Sequence, residues 1–199
     1  MKVDEWLSFF KTHQEKKLFS LQDIAQLTSE PTSSLSVQLT RLIATGVLTR
    51  AARRWYENPF NPPHAEETAM VLRYPSYLSL EYALSKHGIL SQTVYTLTLV
   101  TTKLPYIYKA KHTTYEYHQI HPRLFWGYHQ EGTILMAEPE KALLDLLYIR
   151  CIRTHQFTRK TLASLLEDMT VSQLRAHRLH QYANRYNTPM THLVESINL

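Results

Sequence analysis

The sequence predicts an α+β protein in two parts: three helices and a short hairpin in front, then a mixed part with an antiparallel sheet and flanking helices. Three observations carry that prediction. Leucine and isoleucine recur at helical spacing through residues 21–43. A β-branched alternation runs through residues 94–102. Between them, Asn58-Pro59-Phe60-Asn61-Pro62-Pro63 can continue neither a helix nor a central strand. The proline run divides the chain into a first domain at residues 1–58 and a second at 66–199.

In the front part, Val3, Trp6, Leu7 and Phe10 share one face of a helix over residues 3–13. Ser20 has the chemistry of an N-cap, with Asp23 in the first turn of a second helix carrying Leu21, Ile24, Ala25 and Leu27. Glu30-Pro31 ends it. Thr32 or Ser33 then caps a third helix, with Leu35, Leu39, Leu42 and Ile43 at i, i+4, i+7 and i+8. Gly46 follows in the position of a left-handed C-cap. Residues 47–50 read as a strand, 51–54 as a turn and 54–57 as the returning strand.

In the back part, helices are expected over residues 66–73 and 77–87, the second stopped by Gly88. Strands are expected at 94–102, 106–109, 113–121, 125–128 and 133–137, mostly antiparallel because the connections are short. Glu138-Pro139 opens a helix to about residue 152. Helices over 159–168, 171–186 and 190–197 complete the chain.

Composition narrows the function classes. Hydrophobic residues make up 44% of 199, enough for a packed core. No apolar stretch reaches the roughly 18–20 residues of a membrane helix. Acids at positions 4 and 5 stand where a secretory signal needs basic residues, so a cytoplasmic protein without membrane contact is expected. Cys151 is the single cysteine, which excludes an internal disulfide and argues against a thiolate zinc site. With 4 glycines and no Gly-rich phosphate motif, a nucleotide cofactor is not expected. The net charge of +5 suits a nucleic-acid partner.

The order of the front elements is that of a winged helix-turn-helix. With the leucines of the third helix facing inward, Ser33, Ser34, Ser36, Val37, Gln38 and Arg41 face outward. Gln38 has the groups to pair bidentately with adenine, the serines to reach phosphates or base edges, and Val37 to touch a thymine methyl. The hairpin brings Arg50, Arg53 and Arg54, suited to the minor groove or flanking phosphates. These nine residues form the candidate site for double-stranded DNA. The stretch 32–48 resembles the recognition helix and the start of the wing in many bacterial winged-helix regulators.

The back part resembles the AbiEi family of antitoxins from type IV toxin-antitoxin systems. The likeness rests on Tyr77-Leu78-Ser79 with the helix ending in His87-Gly88, the strand into Thr101-Thr102, Phe125-Trp126-Gly127-Tyr128, and Ala137-Glu138-Pro139-Glu140-Lys141-Ala142-Leu143-Leu144-Asp145. It implies a repressor that autoregulates its operon, binding an operator built as an inverted repeat. It also implies a back domain that opposes a nucleotidyltransferase toxin without a stable complex.

Other arrangements compete with that reading. Glu138 and Asp145, two turns apart, fit a metal-dependent nuclease, though Glu138 and Glu140 also fit simple stabilisation of a helix N-terminus. No nucleophile–base constellation accompanies them, so no catalytic or metal-binding residue is assigned. A protein-docking role for the front helices fits poorly with a small, polar third-helix face. His177 and His180 share a helix face, but among Arg175, Arg178 and Arg185 that disfavour a cation. Lys103, Lys109, Lys111 and Arg123 among Tyr106, Tyr108, Tyr115 and Tyr117 match either a single-stranded nucleic-acid platform or an ordinary exposed sheet face.

Overall fold

A computed structural model describes residues 1–110, 113–153 and 159–197, with the side chains of 159–161 excepted. The chain divides into two compact units, Met1–Leu72 and Arg73–Leu199. Both are mixed α and β. The division falls after the helix that follows the proline run, so residues 65–72 belong with the front unit.

The front unit runs α1 (Val3–Thr12), β1 (Leu18–Ser20), α2 (Leu21–Thr28), α3 (Thr32–Ala44), β2 (Arg50–Ala52), β3 (Trp55–Glu57) and α4 (Ala65–Leu72). Its sheet is antiparallel in the order β1-β3-β2, with Phe19 opposite Tyr56. Trp6, Phe10, Phe19, Leu21, Ile24, Leu35, Leu39, Leu42, Leu48 and Tyr56 form one apolar core. Burying Trp6 and Phe10 contributes roughly 1.5–3 kcal/mol each. Asn58 is buried, and its side-chain amide donates to the carbonyls of Phe10, His13 and Lys16 at 2.9–3.1 Å. It thereby ties the last turn of α1 to the loop that follows it.

The back unit runs β4 (Ser76–Leu78), α5 (Leu80–Lys86), β5 (Thr96–Thr101), β6 (Tyr106–Lys109), β7 (Thr114–Gln119), β8 (Tyr128–Glu131), β9 (Ile134–Ala137), α6 (Pro139–Leu147), a π-helical turn Tyr148–Ile152, α7 (Arg159–Leu166), α8 (Ala176–Ala183) and α9 (Thr188–Glu195). Its six strands lie in the order β6-β7-β5-β4-β9-β8. Three pairings are antiparallel, but β5 with β7 and β4 with β9 are parallel. The sheet is therefore mixed: β6 returns the chain so that β7 runs parallel to β5, and β9 enters beside β4 in the same direction. α6 lies in the core, with Ala142, Leu143, Leu144, Leu146 and Leu147 all buried.

Several elements differ from the sequence expectation. Residues 76–78 are a strand, not the first turn of a helix from 77: Leu78 pairs with Leu99 on one side and Met136 on the other, and this tertiary pairing overrides local periodicity. Residues 125–127 do not form a strand, and β8 begins only at Tyr128. Pro122–Leu124 is a 3-10 turn, and Gly127 follows at φ +75°. A Cβ on Gly127 would meet the Lys141 side chain at 2.9 Å, so the close approach requires glycine. Neither Thr32 nor Ser33 caps α3; Pro31 holds the N-cap position without a side-chain bond.

Candidate nucleic-acid interface

The helix pair that positions the candidate face is closed at both ends by local chemistry. Ser20 Oγ accepts from the Asp23 N–H at 3.0 Å, while Asp23 Oδ2 accepts from the Ser20 N–H at 2.8 Å. This reciprocal capping box starts α2. Ser29, at φ +57°, ends it in the left-handed region. At the far end of α3, Gly46 N–H donates to Ile43 and Val47 N–H to Leu42, both at 3.0 Å, with Gly46 at φ +73°. That is a Schellman closure, and it turns the chain into the hairpin.

α3 buries Leu35, Leu39 and Leu42 and exposes the opposite face. The expected residues Ser33, Ser34, Ser36, Val37 and Arg41 are all exposed. The centre of the exposed stripe is Ser33, Val37, Thr40 and Ala44, at i, i+4, i+7 and i+11. Thr40 and Ala44 were absent from the expected set, although that spacing alone identifies them.

Gln38 behaves differently. It is half-buried beside the stripe, and its amide is engaged within the protein. Oε1 accepts from the Trp6 indole N–H at 3.2 Å and from the Met1 amino group at 2.7 Å. Nε2 donates to Glu30 Oε2 at 2.6 Å and to Ser34 Oγ at 3.1 Å. Trp6 is 1% exposed, so its N–H needs this acceptor. Gln38 is thus a brace between α1 and α3 and is not free to pair with adenine.

The hairpin β2–β3 carries the arginines. Arg53 and Arg54 form its turn, Arg54 at φ +65°, and Arg50 opens β2 opposite Tyr56. Ala51 is buried at a register shift between Arg50 and Ala52, which leaves Arg50 exposed. Arg41, Arg50, Arg53 and Arg54 are exposed, and among the described residues no carboxylate pairs with any of them. Residues 31–56 contain these four arginines and no Asp or Glu.

The candidate carboxylates of the back unit, Glu138 and Asp145, are each engaged by different partners. Asp145 is fully buried: Oδ2 accepts from Tyr77 at 2.9 Å and Ser79 at 2.8 Å, and Oδ1 from Tyr186 at 2.8 Å and from the Lys141 ammonium. Lys141 is also fully buried and stands over the rings of Trp126, Tyr186 and Tyr77 at 4.8–5.7 Å. Burial drives the Lys141 ammonium below its ordinary pKa, against the opposing pull of Asp145. Glu138 instead accepts from Tyr182 and Arg178. Among the described residues no group of three His, Cys, Asp or Glu side chains is placed to hold a metal ion. The positions of Asp145 and Lys141 fit a structural ion pair within the core.

In the basic and aromatic region, Tyr115 and Tyr117 are buried while Tyr106 is 48% exposed, with the Arg73 guanidinium 5.4 Å over its ring. Lys103, Lys109 and Arg123 are exposed. Lys111 lies outside the described residues. His177 and His180 are exposed on α8. No helix among the described residues is long and apolar enough to cross a membrane.

No family model matches the chain, and no curated protein matches it.

Proposed function

We propose that the front unit is a winged helix-turn-helix that binds double-stranded DNA, with α3 in the major groove and the β2–β3 hairpin as the wing. The observation that carries this reading is the acid-free stretch 31–56. It places four exposed arginines, none paired with a carboxylate among the described residues, on one helix face and one hairpin. Phosphate contacts of that kind supply most of the affinity of a DNA-binding domain. The exposed helix stripe is small and unobstructed, which allows close approach to base edges.

On this reading the chain is a transcriptional repressor without a catalytic step. The likeness of its back part to AbiEi antitoxins makes it an autoregulator that recognises an inverted repeat and opposes a nucleotidyltransferase toxin without binding it stably. The DNA part is tested by titrating a labelled duplex from upstream of the chain's own coding sequence with the full-length protein. Binding that weakens steeply with salt and is lost in Arg41→Ala/Arg53→Ala supports it; binding unchanged in that variant sinks it. The antitoxin part is tested by co-expression with a nucleotidyltransferase toxin. Growth arrest unrelieved by this chain refutes that role and leaves DNA binding standing.

A further inference from the structure

The reading face of α3 is polar in sequence, but beyond Ser33 at its first turn the hydroxyl hydrogens of Ser34, Ser36 and Thr40 are already engaged. Ser34 Oγ donates to Glu30 Oε2 at 3.3 Å, Ser36 Oγ to the Thr32 carbonyl at 2.7 Å, and Thr40 Oγ1 to the Ser36 carbonyl at 2.7 Å. A hydroxyl has one hydrogen, so none of the three is left to donate to a phosphate oxygen or to a purine N7. The Gln38 amide is withdrawn as well, by Glu30 and Ser34. The Thr40 bond turns its hydroxyl toward the helix backbone and leaves its methyl as the group open to a ligand. From Val37 to the end of the helix the stripe therefore presents methyl groups, from Val37 at 53% exposure and from Thr40 and Ala44. An exposed β-branched Val37 packs no core and is a weaker helix former than alanine, so stability does not account for it.

We propose that α3 selects its site through apolar contacts of Val37, Thr40 and Ala44 with the C5-methyl groups of thymines, and not through amide pairing with adenine. This rests on the double-stranded DNA reading above. Thymine is the one ordinary base that offers a methyl group, and it does so only in the major groove. Arg41, at the edge of the stripe, supplies a charged donor for phosphate or guanine.

The test begins by selecting duplexes with a randomised core on the full-length protein. The selected duplex is then remade with deoxyuridine in place of thymidine, which removes the methyl and keeps every hydrogen-bonding group. The expected result is a thymine-containing motif whose affinity falls about fourfold for each buried methyl removed, hence on the order of tenfold or more for two. Val37→Ala/Thr40→Ser keeps the Thr40 hydroxyl bond and favours the helix, and it narrows the difference in affinity between the thymidine and deoxyuridine duplexes to what Ala44 and the remaining Cβ at position 37 contribute. Equal binding of the two duplexes by the unsubstituted chain overturns the proposal. Salt-dependent binding with no selected motif also overturns it, while DNA binding itself stands. Failure to bind any duplex overturns both.

Discussion

Two side chains show how burial sets a role that residue type leaves open. Gln38 has the chemistry of an adenine reader, yet its carbonyl satisfies the buried Trp6 N–H and its amino group reaches Glu30. Gln38→Ala leaves that indole N–H buried without an acceptor, which costs about 1–3 kcal/mol. We expect a lower urea midpoint with an unchanged m value, and an unchanged base preference in whatever DNA the folded variant still binds. A shift in preference without loss of stability would show that Gln38 reads bases after all. Asp145 is the second case. It accepts from four donors in the core, including the only cation buried there among the described residues. Asp145→Asn strands the Lys141 ammonium and should destabilise the protein by roughly 3–5 kcal/mol, measured by chemical denaturation. Adding Lys141→Met should recover a large part of that loss, since an apolar chain of similar length needs no counter-charge. If Asp145→Asn is neutral, the pair is not the structural tie its burial indicates.

At the level of elements, the most legible segments are those whose signals are local. α2 follows from Ser20 and Asp23, the end of α3 from Gly46, and the start of α6 from Pro139 at its first turn. β1 and β4 are illegible because each is a three-residue strand defined by its partners: β1 by Trp55–Glu57, and β4 by β5 and β9 together. The parallel pairings of β5 with β7 and β4 with β9 carry no local mark either. Of the candidate face, exposure at Val37 and Arg41 is legible from the 3.6-residue period, and the serine hydroxyls bond only four residues back, whereas the engagement of Gln38 depends on Trp6 and Met1, 32 and 37 residues away in the chain. The capping box gives this scale its test. Ser20→Ala should lower stability by about 1 kcal/mol. Burial alone would raise the Asp23 carboxyl, but the Ser20 N–H and the Lys16 ammonium, 3.0 Å away, outweigh it and hold its pKa below the ordinary value. A depressed folded-state value means that this contribution is complete above the unfolded value and disappears as pH falls through the folded one. The share contributed by the Asp23 carboxylate, probed by Asp23→Asn, should accordingly give a deficit that is constant near neutrality and shrinks only in acid, as pH falls through the lowered folded-state value. A deficit that vanishes already at pH 6 would assign the stabilisation elsewhere.

Over the whole molecule, net charge and the location of the arginines point in different directions. Residues 1–72 hold eight Lys and Arg against eight Asp and Glu, so the front unit is neutral, while residues 73–199 hold fourteen against nine and carry the entire +5. If bulk charge directed DNA, the back unit would be the binding surface. Binding by phosphate contact depends on local cations, and in the front unit these are segregated: its acids lie outside residues 31–56, where Arg41, Arg50, Arg53 and Arg54 stand exposed. Two charge-matched variants separate the possibilities. Arg50→Ala/Arg53→Ala/Arg54→Ala and Lys103→Ala/Lys109→Ala/Arg123→Ala each remove three positive charges and leave the chain with the same net charge. Each phosphate contact contributes about 0.9 to the slope of log affinity against log salt. The hairpin variant should therefore flatten the slope by up to about 3 units and weaken binding to all sequences alike, and the second variant should leave the slope unchanged. All six side chains are exposed, so neither variant removes core packing, and circular dichroism melts should match the parent. Equal flattening by both would mean that each unit contacts the backbone. Flattening by the second alone would move the interface to the region around Tyr106 and leave the front hairpin as solvated surface.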